Sequence, residues 1–306
     1  MRWQGGRRSD NVEDRRGAGG GVGPGIGGGG FRLGGRGGLG IGGTIIVLLL
    51  ALFFGVDPRM LLGGGDAGYG PAPGYQTEGD PQVAYGPPPA ATAGQDPQGE
   101  FVRVVLGYTE DVWNEQFRSL GQDYREPTLV LFSGSVQSGC GSARSTMGPF
   151  YCPLDEKLYI DLTFYDELRQ RLGAPGDFAQ AYVIAHEVGH HVQNLLGISG
   201  QVQQARRTAG SEAESNALSV RLELQADCLA GVWAHHTQER FKVLEAGDVQ
   251  EAMGAAAAVG DDRLQKQSRG VAVPDSFTHG SAEQRTRWFD TGFRQGTIEA
   301  CNTFKG

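Results

Sequence analysis

The chain has 306 residues, a formal net charge of −8 and 51 glycines, 30 of them within residues 1–100 together with 9 of the 14 prolines. A stretch so rich in glycine and proline, and so poor in large apolar side chains, cannot bury a core of its own, which leaves about 200 residues for a folded domain. Residues 100–306 carry 19 basic and 27 acidic side chains, so no nucleic-acid partner is expected; the glycines lack the period of collagen, and one long apolar run excludes a multi-span membrane protein.

Residues 1–40 hold seven arginines (Arg2, Arg7, Arg8, Arg15, Arg16, Arg32, Arg36) in a glycine-rich background. They read as a disordered cytoplasmic tail that orients a membrane segment, in preference to an RNA-binding module. Ile41 to Val56 follows, sixteen residues without a charge, slightly short of the ~17–25 residues a spanning helix uses. No Ala-x-Ala-like site follows Phe54. Residues 41–62 therefore read as an uncleaved transmembrane signal anchor, with the arginines inside and the rest of the chain periplasmic or extracellular. Residues 63–99, rich in Gly, Pro, Ala and Gln, form a flexible linker.

The domain spans residues 100–306. A helix is predicted over Thr109–Leu120, capped by Thr109 or Glu110, and strands over Thr128–Phe132 and Lys157–Phe164. Helices are predicted at about 166–172, 177–196, 214–240, 248–267 and 281–291, giving an α+β domain, mainly helical with a small β-sheet. Four cysteines fall in it. An even count beyond a membrane segment favours disulfides, and chain order suggests Cys140 with Cys152 and Cys228 with Cys301, one of three possible pairings. A cysteine zinc site is disfavoured because no Cys-x-x-Cys spacing occurs.

The decisive stretch is Ala179-Gln-Ala-Tyr-Val-Ile-Ala-His186-Glu187-Val-Gly-His190-His191-Val-Gln-Asn-Leu-Leu196, closed by Gly197 at a helix C-cap. Four residues on a helix is little more than a turn, so His186 and His190 share a face and can share one zinc ion. Glu187 beside them can take a proton from a metal-activated water and return it to a leaving amine. A third ligand is sought in Glu223-Leu-Gln-Ala-Asp227 on a second helical segment. Glu223 completes the set, and Asp227, one turn on, is placed to accept the free ring N–H of a histidine ligand. Zinc, one per chain, suits two imidazoles, one carboxylate and an open position.

Cys140-Gly-Ser-Ala-Arg-Ser-Thr-Met-Gly-Pro-Phe-Tyr-Cys-Pro153, the run Ala179 to Leu196, the segment Glu223 to Gly231, and Phe277-Thr-His279-Gly-Ser-Ala-Glu-Gln-Arg285 occur in that order. Together they resemble the bacterial putative neutral zinc metallopeptidase family, and Met1-Arg-Trp with Asn11-Val-Glu-Asp-Arg-Arg16 resembles that family's amino terminus. The sequence also resembles the wider gluzincin group, in which a glutamate on a second helix is the third zinc ligand and an aspartate four residues later supports a histidine. The resemblance implies zinc-dependent peptide hydrolysis but no particular substrate.

His279, or Arg285 six residues later, is the candidate for stabilising an oxyanion. His191, rotated about 100° from its neighbour, is expected to pack or hydrogen-bond beside the site, while His235 and His236 read as structural groups at a helix end. The strand Tyr159–Phe164 is a candidate edge for holding an extended peptide. The sequence thus describes a membrane-anchored zinc metallopeptidase acting on a peptide or protein; the competing reading is a membrane-anchored scaffold or binding protein with a structural zinc.

Overall fold

The computed structural model describes residues 1–17 and 96–305, so the anchor expected at 41–62 and nearly all of the linker expected at 63–99 lie outside the described residues. The elements run β1 (Val12–Asp14), α1 (Pro97–Ser119), β2 (Thr128–Phe132), β3 (Ser135–Ser138), β4 (Gly141–Arg144), β5 (Phe150–Cys152), β6 (Lys157–Asp161), then α2 (Thr163–Gln170) and α3 (Asp177–Leu195). They continue with α4 (Ile198–Arg207), α5 (Glu212–Phe241), α6 (Asp248–Ala258), α7 (Asp261–Arg269) and α8 (Ala282–Gln295), with single 3₁₀ turns between some of them. The class is α+β, mainly helical with a small sheet. No helix among the described residues is long and apolar enough to cross a membrane.

α1 begins twelve residues before the expected start. Asp96 caps it by accepting the Gly99 N–H, Pro97 occupies the first turn, and Phe101 to Leu106 already supply a buried face. Thr109 and Glu110, the expected caps, are buried in mid-helix. β2 and β6 pair in parallel, with β5 antiparallel on the other side of β6 and β1 parallel on the other side of β2. The order β1-β2-β6-β5 puts β6 inside the sheet and makes β5 an edge. The expected substrate edge at Tyr159–Phe164 is therefore corrected. That strand also stops early, because the Asp161 carboxylate accepts the Thr163 N–H and hydroxyl and turns the chain into α2.

The helical layer packs on the sheet around Trp113, Phe178, Trp233 and Phe289. α3 and α5 approach so closely that a Cβ at Gly189 would meet the Ala226 carbonyl oxygen at 3.0 Å, and α5 touches α8 more closely still at Gly292. The tract expected at 248–267 is two helices, broken at Val259 and Gly260, and α4 and the hairpin β3–β4 were not foreseen. Both suggested disulfides are present: Cys140–Cys152 ties the hairpin to β5, and Cys228–Cys301 ties α5 to the carboxyl-terminal turn.

Residues 1–17 correct the expectation of a disordered tail. Glu110, buried in α1, accepts hydrogen bonds from Arg7 (2.7 Å), Asn11 (2.8 Å) and the Ser9 hydroxyl. A buried carboxylate is tolerated only when paired, so this residue fixes the segment that leads into β1. The remaining arginines are engaged too: Arg2 donates to the Lys242 carbonyl, Arg8 pairs with Glu100, Arg15 with Glu13, and Arg16 with Asp14 and Asp96; Lys157 of β6 also returns to Glu13 of β1 at 2.5 Å. The amino group of Met1 sits between Asp177 and Asp248 at 2.6 and 3.3 Å. Composition could not reveal this because the partners in the rest of the body lie at least 80 residues away.

Glu110→Leu leaves Arg7, Ser9 and Asn11 without their shared acceptor. It is expected to destabilise the body by about 1–3 kcal/mol and to open Arg8, Arg15 and Arg16 to trypsin, measured by chemical denaturation and timed proteolysis against the unsubstituted chain.

Candidate metal centre

α3 places His186 and His190 on one face, and α5 crosses that face at Ala226, bringing Glu223 opposite. Glu223 Oε2 lies 3.2 Å from His186 Nε2 and 3.5 Å from His190 Nε2. The two imidazole centroids are 4.8 Å apart, nearly perpendicular. His186 and Glu187 are buried, and His190 and Glu223 are nearly so.

The outer nitrogens of both rings are already engaged. His186 Nδ1–H donates to Asp227 Oδ1 at 2.9 Å. His190 Nδ1–H donates to Gln193 Oε1 at 2.9 Å; the Gln193 amide is itself oriented because its NH₂ donates to the Leu222 carbonyl at 2.7 Å. Each histidine in its neutral form thus turns an Nε2 lone pair towards a carboxylate oxygen. Three electron-rich atoms so close need positive charge among them, from a proton on a ring or from a metal ion. The ligand atoms of His186, His190 and Glu223 all lie within 4.8 Å of one another, and the donor set fits zinc.

The same electrostatics sets the acidities. Burial lowers the His186 pKa, but Asp227 and Glu223 outweigh it and raise it to about 10. Burial also opposes ionisation of Glu223, yet the two histidines hold it well below the carboxylate range. Glu187 differs: burial pushes it up and the imidazoles offset this only in part. It makes no side-chain hydrogen bond among the described residues.

Asp227 is fully buried and anchors a network that the sequence reading did not contain. Arg285 from α8 grips it with two bonds, Nε to Oδ2 at 2.9 Å and Nη2 to Oδ1 at 3.0 Å. Tyr182, one turn before His186, donates its hydroxyl to Oδ1 and accepts from Arg285 at 3.1 Å. Burial would raise the Asp227 pKa, but Arg285 and His186 keep it low. Arg285 is thereby corrected as an oxyanion candidate: its guanidinium is spent on Asp227, Tyr182 and, at 3.5 Å, the Val259 carbonyl.

His279 stands at the site's margin. Its backbone N–H donates to Asp261 Oδ2 at 2.6 Å and its Nδ1 lies 3.3 Å from Asp261 Oδ1. Its side chain is about half exposed, and its charge is felt at Glu223. His191 is buried beside the site, with Nε2–H donating to the Arg125 carbonyl at 2.6 Å and Nδ1 accepting from Tyr151 of β5 at 3.0 Å; burial lowers its pKa. Tyr165 of α2 was also missed. Its buried hydroxyl has no partner among the described residues, and burial together with the Glu187 charge raises its pKa.

Two histidines one turn apart, an adjoining glutamate and a facing carboxylate from a second helix define an H-E-x-x-H metal centre. The chain belongs to the putative neutral zinc metallopeptidase family, whose profile matches residues 1–304. It is 52% identical over 305 residues to "Uncharacterized protein YpfJ" of Escherichia coli K12, covering 99% of both chains. It is 46% identical over 215 residues to "Uncharacterized protein Rv2575" of Mycobacterium tuberculosis H37Rv, covering 67% of this chain and 71% of that protein. No solved structure matches the chain.

Asp227→Asn keeps the shape but lowers the basicity of His186, and zinc affinity is expected to fall about 10–100-fold by competition with a chelating dye. Arg285→Met instead strands a buried charge and is expected to cost about 3–5 kcal/mol of stability, read from denaturant unfolding.

Proposed function

We propose that the chain is a zinc-dependent peptidase in which His186, His190 and Glu223 hold one catalytic zinc and Glu187 is the general base and acid. The observation that carries this reading is Glu187: a buried carboxylate, unpartnered among the described residues and of raised pKa, one residue from His186 in the cluster. Zinc, when bound, supplies a Lewis acid that activates water and polarises a carbonyl. Glu187 accepts the proton that the attacking water releases and delivers it to the departing amine; the upward push of burial on its pKa favours its holding that proton between the two transfers. Asp227 holds His186 in the tautomer that keeps Nε2 free, and Gln193 does the same for His190. His279, steadied by Asp261, is the group proposed to donate to the oxyanion.

Substrate is proposed to be an extended peptide. β5 is the sheet edge nearest the site helix, since Tyr151 reaches His191 and Asn194 of α3 through its hydroxyl. A strand added there would place main-chain carbonyls near the centre.

The location proposed for the body is outside the cytoplasm, supported by its two disulfides. Pairing of β1 with β2 binds residues 1–17 to the same body as residues 96–305. A single crossing at 41–62 with a cytoplasmic amino terminus would put those parts on opposite faces of a membrane. In place of the single-pass anchor with a cytoplasmic amino terminus expected from the sequence, both flanks of that segment are proposed to lie on one side of any membrane.

Glu187→Gln is expected to retain zinc and the melting temperature while casein cleavage falls at least ~10²-fold; His279→Ala is expected to lower kcat with KM little changed. Unchanged turnover in Glu187→Gln would sink the peptidase mechanism. Zinc in both proteins with cleavage by neither favours the structural-zinc scaffold.

A further inference from the structure

The far end of α5 repeats the construction of the central site. Sixteen residues beyond Glu223, about 24 Å along the helix, Glu239 stands beside His235 and His236. Glu239 Oε2 is 3.4 Å from His235 Nε2 and 3.5 Å from His236 Nδ1. The corresponding central distances are 3.2 and 3.5 Å. The outer ring centroids are 5.1 Å apart at 80°, against 4.8 Å at 87° in the centre.

The tautomers are fixed here as well. His235 Nδ1–H donates to the Phe293 carbonyl at 2.7 Å, and His236 Nε2–H donates to the Gly296 carbonyl at 2.8 Å. Both acceptors belong to the last turn of α8, where carbonyls lack helical partners. Gly296 has φ +64°, and a Cβ there would lie 2.4 Å from His235 Cδ2, so a glycine is required for the His235 ring to pass it and reach the Phe293 carbonyl. With those nitrogens committed, His235 Nε2 and His236 Nδ1 present lone pairs to the same carboxylate oxygen. The structural role expected for these histidines is present, but it caps α8 and leaves half of each ring unaccounted for.

We infer that His235 Nε2, His236 Nδ1 and Glu239 form a second site for a divalent transition metal of the zinc class. Two imidazoles and a carboxylate leave at least one coordination position open. The site borders a surface pocket of about 310 Å³ that also includes Val112, Glu115 and Gln116 of α1. The neighbouring Arg240 is turned to Glu115 at 2.9 Å. The metal is held by one turn of α5, with its histidines braced by α8, so it reinforces a contact on which the central network also relies through Arg285.

The test compares the zinc content of the full chain with that of Glu239→Gln, and with a double variant, His235→Asn with His236→Gln. Asn and Gln keep the donors to Phe293 and Gly296 while removing the metal-facing nitrogens. After equilibrium dialysis against excess Zn²⁺, mass spectrometry is expected to find one equivalent fewer in each variant, with melting temperatures of the zinc-free proteins unchanged. Because the result is a difference, it holds whatever occupies the central site. Equal zinc in all three proteins overturns the second site.

Discussion

The crossing of α3 and α5 at Gly189 and Ala226 is the constraint from which the site follows. A residue without a side chain lets the helices pass at this separation, which brings Glu223 to within 3.5 Å of both histidines. A methyl group at 189 would push α5 outward and lengthen each of those distances together. The crossing in turn requires Asp227 to be buried one turn beyond Glu223, where an unpaired carboxylate would be intolerable. Arg285 and Tyr182 meet that requirement, and they come from α8 and from the start of the histidine helix. Three helices are thus locked by one charge. The Cys228–Cys301 bridge adds a covalent tie at the residue next to Asp227.

A buried ion pair is poor evidence of stability, because desolvation offsets much of the attraction. Its value here is positional. The bidentate grip of Arg285 leaves Asp227 Oδ1 facing both His186 and Tyr182, so Nδ1 of His186 is held as the donor and Nε2 is the nitrogen turned towards Glu223. A hydrophobic replacement of similar volume could hold the helices together yet would leave the tautomer of His186 undefined.

The residues that cluster at the candidate site were legible in the sequence because they obey local rules: His186 and His190 are four apart on one helix, and Glu223 and Asp227 repeat that spacing on another. The two disulfides followed from chain order. What could not be read was every relation set by distant residues. Arg285 looked like a free cation because its partner is 58 positions away. Gln193, Tyr182 and Tyr165 carry no motif and acquire their roles only when α2, α3 and α5 meet. Glycine and arginine content made residues 1–17 resemble a disordered tail, although Glu110 and the free edge of β2 were waiting in the domain. The strand expected over Lys157–Phe164 had the right start but neither its end nor its neighbours, since β5 is only three residues long and has little periodicity to detect.

The two histidine clusters on α5 and its neighbours share a geometry but differ in what lies behind the rings. In the centre, His186 is backed by a full carboxylate, which raises the basicity of its Nε2. At the far end both rings are backed by neutral carbonyls, and the side chains of His235 and His236 are a quarter exposed. Electron donation to the metal is therefore greater at His186, and water competes less there. With zinc at both, the central site would hold its ion more tightly, and the outer one would exchange first as free zinc falls. The order follows from the chemistry of the atoms behind each imidazole, not from the distances, which are nearly equal.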